Sequence, residues 1–113
     1  MKNFNELNKN ELLEVVKEYS DYVTEYCFDN DIEPVSINEF YYEDYQEIPH
    51  VGDMVIINNI YDNEGMSYWV EGNNHEYYII DSVEYYSNNK IWIKDCPYAI
   101  DITENDIKIL RLD

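Results

Sequence analysis

From Glu18 to Asn89 the chain contains no Lys or Arg. The same 72 residues hold 17 of its 25 carboxylates. The seven basic residues lie outside: Lys2, Lys9 and Lys17 before, Lys90, Lys94, Lys108 and Arg111 after. A fold containing this stretch must form against its own repulsion. At a net charge of −18 and a pI near 4.1, that repulsion costs stability and weakens as salt is added.

What opposes the repulsion is apolar and aromatic burial. Apolar residues make up 45% of the 113 positions, unlike a disordered acidic tail. Thirteen Tyr stand against three Gly and three Pro, and Tyr buries a large ring while its hydroxyl finds water or a hydrogen bond. The length suits one domain, 1–113, with one core. The acidity argues against direct nucleic-acid binding, which needs Lys and Arg at phosphates, and against anionic membranes. Its natural complement is a basic protein groove. No apolar run follows Met1–Glu6 as a secretion signal would require, and no stretch is long enough to span a bilayer, so a cytoplasmic location is expected. Cys27 and Cys96, 69 residues apart, then read as reduced thiols, with a disulfide as the lesser reading.

The N-terminal part, 8–47, reads as helical after a loose lead-in over 1–7. Asn8 and Glu11 form a capping-box pattern ahead of a long helix. Leu12, Val16, Tyr19, Val23 and Tyr26 make one apolar stripe. Glu11, Glu14, Glu18, Asp21 and Glu25 make an acidic row nearly opposite it at helical pitch. Like charges at these spacings weaken a helix, so the fold has no use for the row. A second box, Ser36 to Glu39, starts a short helix over 37–46, with Glu39, Glu43 and Glu47 as another row and Asp44 beside it.

After Ile48-Pro49-His50 the chain reads as strands: 54–60, a short one at 67–71, a long run at 76–86, then 90–94, 98–102 and 107–110, with a helical turn at 103–106. Adjacent tyrosines in a strand point to opposite faces, which exposes one of Tyr77 and Tyr78. Trp92 alternates with Ile91 and Ile93 and so faces outward.

Chemistry-bearing motifs are scarce. Cys27, His50, His75 and Cys96 form a two-Cys, two-His set, but none lies closer than 21 residues to the next, unlike paired zinc ligands. Asp29-Asn30-Asp31-Ile32-Glu33 opens like a calcium loop, then places Pro34 and Phe40 where an EF-hand needs Gly and Glu. There is no Gly-rich phosphate loop and no nucleophile elbow. No enzyme activity, cofactor or metal is therefore expected.

Two resemblances follow. The Val51-Gly52-Asp53-Met54-Val55 opening, the long strand around Tyr77–Tyr85 and the turn at Thr103–Asp106 before a last strand resemble an SH3-like barrel over 51–112. The implied architecture is α+β: an N-terminal helical hairpin, one long helix plus one short, packed on a C-terminal SH3-like antiparallel β-barrel. Small size, extreme acidity, Tyr/Asn/Ile richness and missing catalytic motifs resemble phage- or prophage-encoded anti-CRISPR inhibitors that mimic DNA. That resemblance implies a non-enzymatic inhibitor occupying the basic nucleic-acid groove of a CRISPR effector nuclease or another host DNA enzyme. Carboxylates on a helix recur at roughly 5–6 Å, so acidic rows can stand in for phosphates. Glu18, Asp21, Glu25, Glu39, Glu43, Asp44 and Glu47 are the expected partner-binding acids, with Tyr42, Tyr78 and Trp92 as aromatic contacts. Three alternatives remain: an SH3-like protein-interaction module of a phage or mobile element, a highly charged surface with no binding role, and an inhibitor that uses metal on Cys27, His50, His75 and Cys96 to shape a loop.

Overall fold

The computed structural model describes residues 1–111, so Leu112 and Asp113, the end of the 1–113 domain, lie outside the described residues. The chain divides into two compact units, Met1–Ile48 and Pro49 onward. The first is helical. Among the described residues, the second holds five antiparallel strands and two helices.

The helical unit opens with a 3₁₀ turn, Phe4–Glu6, and the lead-in is not loose. Tyr41 Oη donates to the Lys2 carbonyl at 2.6 Å, and Phe4 N–H donates to Tyr42 Oη at 2.8 Å. Helix α1 (Lys9–Asp21) starts at Asn8 with both capping-box bonds: Glu11 N–H to Asn8 Oδ1 at 2.8 Å and Asn8 N–H to Glu11 Oε1 at 3.0 Å. It runs on without a break through a π-helical stretch, Tyr22–Cys27, into α2 (Phe28–Asn30). Asp31, left-handed at φ 53°, ends it.

The helix buries a different face from the expected one. Val15, Glu18, Tyr22 and Cys27 are buried, while Leu12, Leu13, Val16 and Tyr26 are exposed. The cause is aromatic. Phe40, on α3 (Ile37–Tyr42), is fully buried and packs edge-on against Tyr19 at 5.3 Å and tilted against Tyr22 at 5.0 Å. Ring pairs of this kind add about 0.5–1.5 kcal/mol each beyond the area they bury. The wider π turn then shifts the phase, so that Cys27 follows Tyr22 inward in place of Tyr26. The connector to α3 is fixed at Val35, whose carbonyl accepts from Tyr19 Oη at 2.7 Å. Ser36 caps α3, with Glu39 N–H donating to its Oγ at 3.2 Å. The second helix is not continuous over 37–46: it breaks at Glu43 (φ −107°, ψ −74°), and α4 (Asp44–Glu47) follows.

In the second unit the strands are β1 (Met54–Asn59), β2 (Tyr78–Glu84), β3 (Lys90–Ile93), β4 (Ala99–Asp101) and β5 (Asp106–Leu110). Their order is β4-β3-β2-β1-β5, antiparallel throughout. Closure into a barrel is not found: the three-residue β4 and β5 end the order as edges, and β1 meets β2 only at Met54↔Ile79 and Val55↔Tyr78. The coarser α+β reading holds, with helices N-terminal and antiparallel strands C-terminal.

The expected strand at 67–71 is instead helix α5 (Glu64–Asn73). Asn63 supplies the local reason, because its Oδ1 accepts Met66 N–H at 3.0 Å as an N-cap, and left-handed Asn74 closes the other end. Met66 and Trp69 from α5 pack with Val55, Tyr78, Ile80, Val83, Ile91, Ile93 and Ile100 in the core. The 76–86 run is strand only as far as Glu84; Tyr85–Asn88 form the short helix α6.

Candidate functional site

The expected contact residues divide into three groups. Glu25, Glu39, Glu43 and Glu47 are exposed, as is Tyr42. Asp21, Asp44 and Trp92 are half-buried. Glu18 and Tyr78 are buried, 2% and 6% exposed, and neither is presented to a partner. Glu18 turned inward with Tyr22 when the helix took its aromatic face as its inner face. Tyr78 is the inward member of its pair: it packs on Trp69 at 5.6 Å and accepts His75 N–H at 3.2 Å, leaving Tyr77 outside.

The α1 row is therefore broken, with Glu11, Glu14 and Asp21 half-buried and only Glu25 open. Lys2 Nζ meets Glu11 Oε1 at 2.8 Å, and that hydrogen bond, with the Asn8 amide, holds the Glu11 carboxyl below the ordinary value. Exposed acid continues instead along α2 at Asp29, at the helix end at Asp31 and beyond it at Glu33, which periodicity did not single out as contacts. In the second row Glu39, Glu43 and Glu47 are all open, but the break at Glu43 interrupts the regular helical spacing. Tyr42 has a structural bond of its own through Phe4.

Both Cys27 and Cys96 are free thiols. Among the described residues no three His, Cys, Asp or Glu side chains come together as a cation site. Burial raises the Cys96 thiol above its usual value, and its Sγ lies 3.3 Å from Met66 Sδ, so it packs as a small apolar side chain. Burial, then a hydrogen bond with Cys27, pushes the Tyr22 hydroxyl up to about 12. Burial works against the charged Asp101, but hydrogen bonds from the Thr103 hydroxyl and the Thr103 and Glu104 amides prevail and hold its carboxyl below the usual range. These are structural groups.

The two helical acidic rows legible in the sequence end at Glu47. In the second unit, however, Asp81, Glu84 and Asp95 converge with Trp92 on an open groove of about 770 Å³. The outward alternation of Trp92 was the available signal. The bulge that carries Asp81 and the left-handed turn at Asp95 (φ 63°) were not legible.

Comparison of the chain with family models, curated proteins and solved structures finds no match. Among the described residues no helix is long and apolar enough to cross a membrane.

Proposed function

We propose that the protein is a non-enzymatic inhibitor that binds the basic nucleic-acid groove of a DNA enzyme, most concretely as an anti-CRISPR protein that blocks DNA binding by a CRISPR effector nuclease. The observation that carries this reading is the exposed series Glu39 on α3, Glu43 at the break and Glu47 on α4, in a unit that also leaves Glu25, Asp29, Asp31 and Glu33 open. Packing leaves these side chains in solvent, where they oppose folding by mutual repulsion. A cationic partner would convert that cost into attraction and speed the encounter. Asp21, Asp44 and Tyr42, half-buried or exposed in the same unit, are the accompanying contacts, whereas buried Glu18 and Tyr78 act only through the fold.

The test is guide-directed DNA cleavage by a purified CRISPR effector nuclease with and without the protein. Inhibition is expected, weakening steeply from about 50 to 500 mM salt, as association between opposite charges must. Glu39→Lys/Glu43→Lys/Glu47→Lys is expected to abolish it. Full inhibition by that variant, or inhibition indifferent to salt, sinks the reading.

A second reading, an SH3-like interaction module of a phage or mobile element, draws on the β4-β3-β2-β1-β5 order with its turn between β4 and β5. It calls for a partner held by the strand unit, with capture unaffected by the same triple variant.

A further inference from the structure

We propose that the groove beside Trp92 is a docking site for an arginine side chain on an exposed segment of a partner protein. The antiparallel register sets the floor. Trp92 pairs with Ser82 on β2 and Ala99 on β4, and directly opposed residues share a face. Ile91 and Ile93 are buried on the other face, so Trp92 stands on the outer one. Its two cross-strand neighbours are among the smallest side chains available, so neither covers the indole. Trp92 is half-buried, and the open part of its ring lines a depression together with Pro97.

Charge selects the occupant. Asp81, Glu84 and Asp95 line the same depression, and among the described residues its lining holds no cation. Lys90 stands across from Glu84 and near Asp101, outside the lining, and Lys94 lines the adjoining groove with Trp69 and Tyr78, which shares Asp95 with this one. Glu84 is already oriented, since its Oε2 accepts Asn88 Nδ2 at 2.5 Å. A planar guanidinium stacks on an indole and offers a fork of N–H donors to flanking carboxylates, which a compact ammonium matches less well. The volume also exceeds one side chain, leaving room for the residues flanking the arginine. This site lies in the strand unit, uses none of the exposed helical acids, and stands or falls separately from the inhibitor reading.

The experiment follows the Trp92 indole N–H resonance of the full-length protein. The probes are the peptide acetyl-Gly-Arg-Gly-Arg-Gly-amide and its citrulline counterpart, which keeps the shape and loses the charge. The arginine peptide is expected to give a saturable shift at Trp92 at least about tenfold tighter than the citrulline peptide. Asp81→Asn/Asp95→Asn should weaken it about tenfold, while Glu39→Gln/Glu43→Gln/Glu47→Gln should leave it within about twofold. Equal shifts from both peptides, no saturation at Trp92, or equal losses in the two variants would overturn the site. So would occupancy by a second copy through Arg111, seen as a dimer that Arg111→Gln abolishes.

Discussion

The ring of Tyr22 lies 5.0 Å from that of Phe40, centroid to centroid, at an interplanar angle of 31°. This pair joins the long N-terminal helix to α3 and decides which side of that helix is inside. Phe40 also touches Tyr19 and, at 6.1 Å, Tyr45, so one fully buried ring gathers three tyrosines from two segments.

Phe40→Ala should accordingly cost the helical unit about 3–5 kcal/mol, the range for emptying a buried aromatic site. Urea denaturation followed by circular dichroism checks this. Leu13→Ala, at a side chain 54% exposed, is expected to stay within about 0.5 kcal/mol. If the two costs were reversed, the inner face of the helix would be the Leu12–Val16 side.

Tyr22 also makes the unit sensitive to base. Its hydroxyl is raised to about 12, above the ordinary phenol. The unfolded chain then loses this proton first, so its stabilising contribution is complete below pH 10 and is lost as pH rises toward 12. Over that window the wild-type stability should fall by up to about 1.4 kcal/mol per pH unit more steeply than that of Tyr22→Phe. Parallel pH profiles for the two proteins would refute the burial of that hydroxyl.

Asp101 titrates in the opposite sense. Its carboxyl is depressed in the fold, so its contribution is present above the unfolded carboxylate value of about 3.9 and disappears as pH falls through the lower folded value. Carbon-13 titration of the side-chain carboxyl should give a midpoint below that of a free aspartate. Thr103→Val, which removes the hydroxyl bond but leaves the amide bonds, should move the midpoint partway back.

Caps offer a test of local structure in each unit. Asn8→Ala removes the acceptor of Glu11 N–H, and Asn63→Ala that of Met66 N–H. Each should cost about 1 kcal/mol, read as faster amide exchange in the first turn of α1 or of α5. The Asn63 result carries more weight, because a strand over 67–71 would not respond to that cap.

Adding salt should stabilise the protein as a whole. With a net charge of −18, self-repulsion is the largest electrostatic cost, and raising sodium chloride from about 10 to 500 mM screens it. The expected outcome is a higher melting temperature. An unchanged or lower one would mean that local charge pairs outweigh the overall excess.

Local chemistry carried a good part of the architecture. Asn8 and Glu11 announced a helix start and make both bonds of it; Ser36 and Glu39 announced another and make one. Ile91-Trp92-Ile93 alternated in sequence and alternates in the sheet. The change from helical to strand-rich chain falls at Ile48/Pro49, where the helical pattern ended. A strand was expected where α5 lies, because the 67–71 segment is β-prone and its helix start depends on the single cap at Asn63.

The acidic excess, the helix starts, the strand alternation and the left-handed stops at Asn74 and Asn89 were determined by the sequence alone, because each depends on neighbours within a few residues. The tertiary structure decided the rest. It turned Glu18 inward and Leu12, Leu13 and Val16 outward, chose Tyr78 over Tyr77 for the core, and brought Asp81, Glu84 and Asp95 around Trp92. These outcomes depend on which distant ring or strand supplies the opposing surface. Periodicity identifies the faces of an element, but only the packing partner, Phe40 for the long helix and Ser82 and Ala99 for Trp92, determines which face is covered.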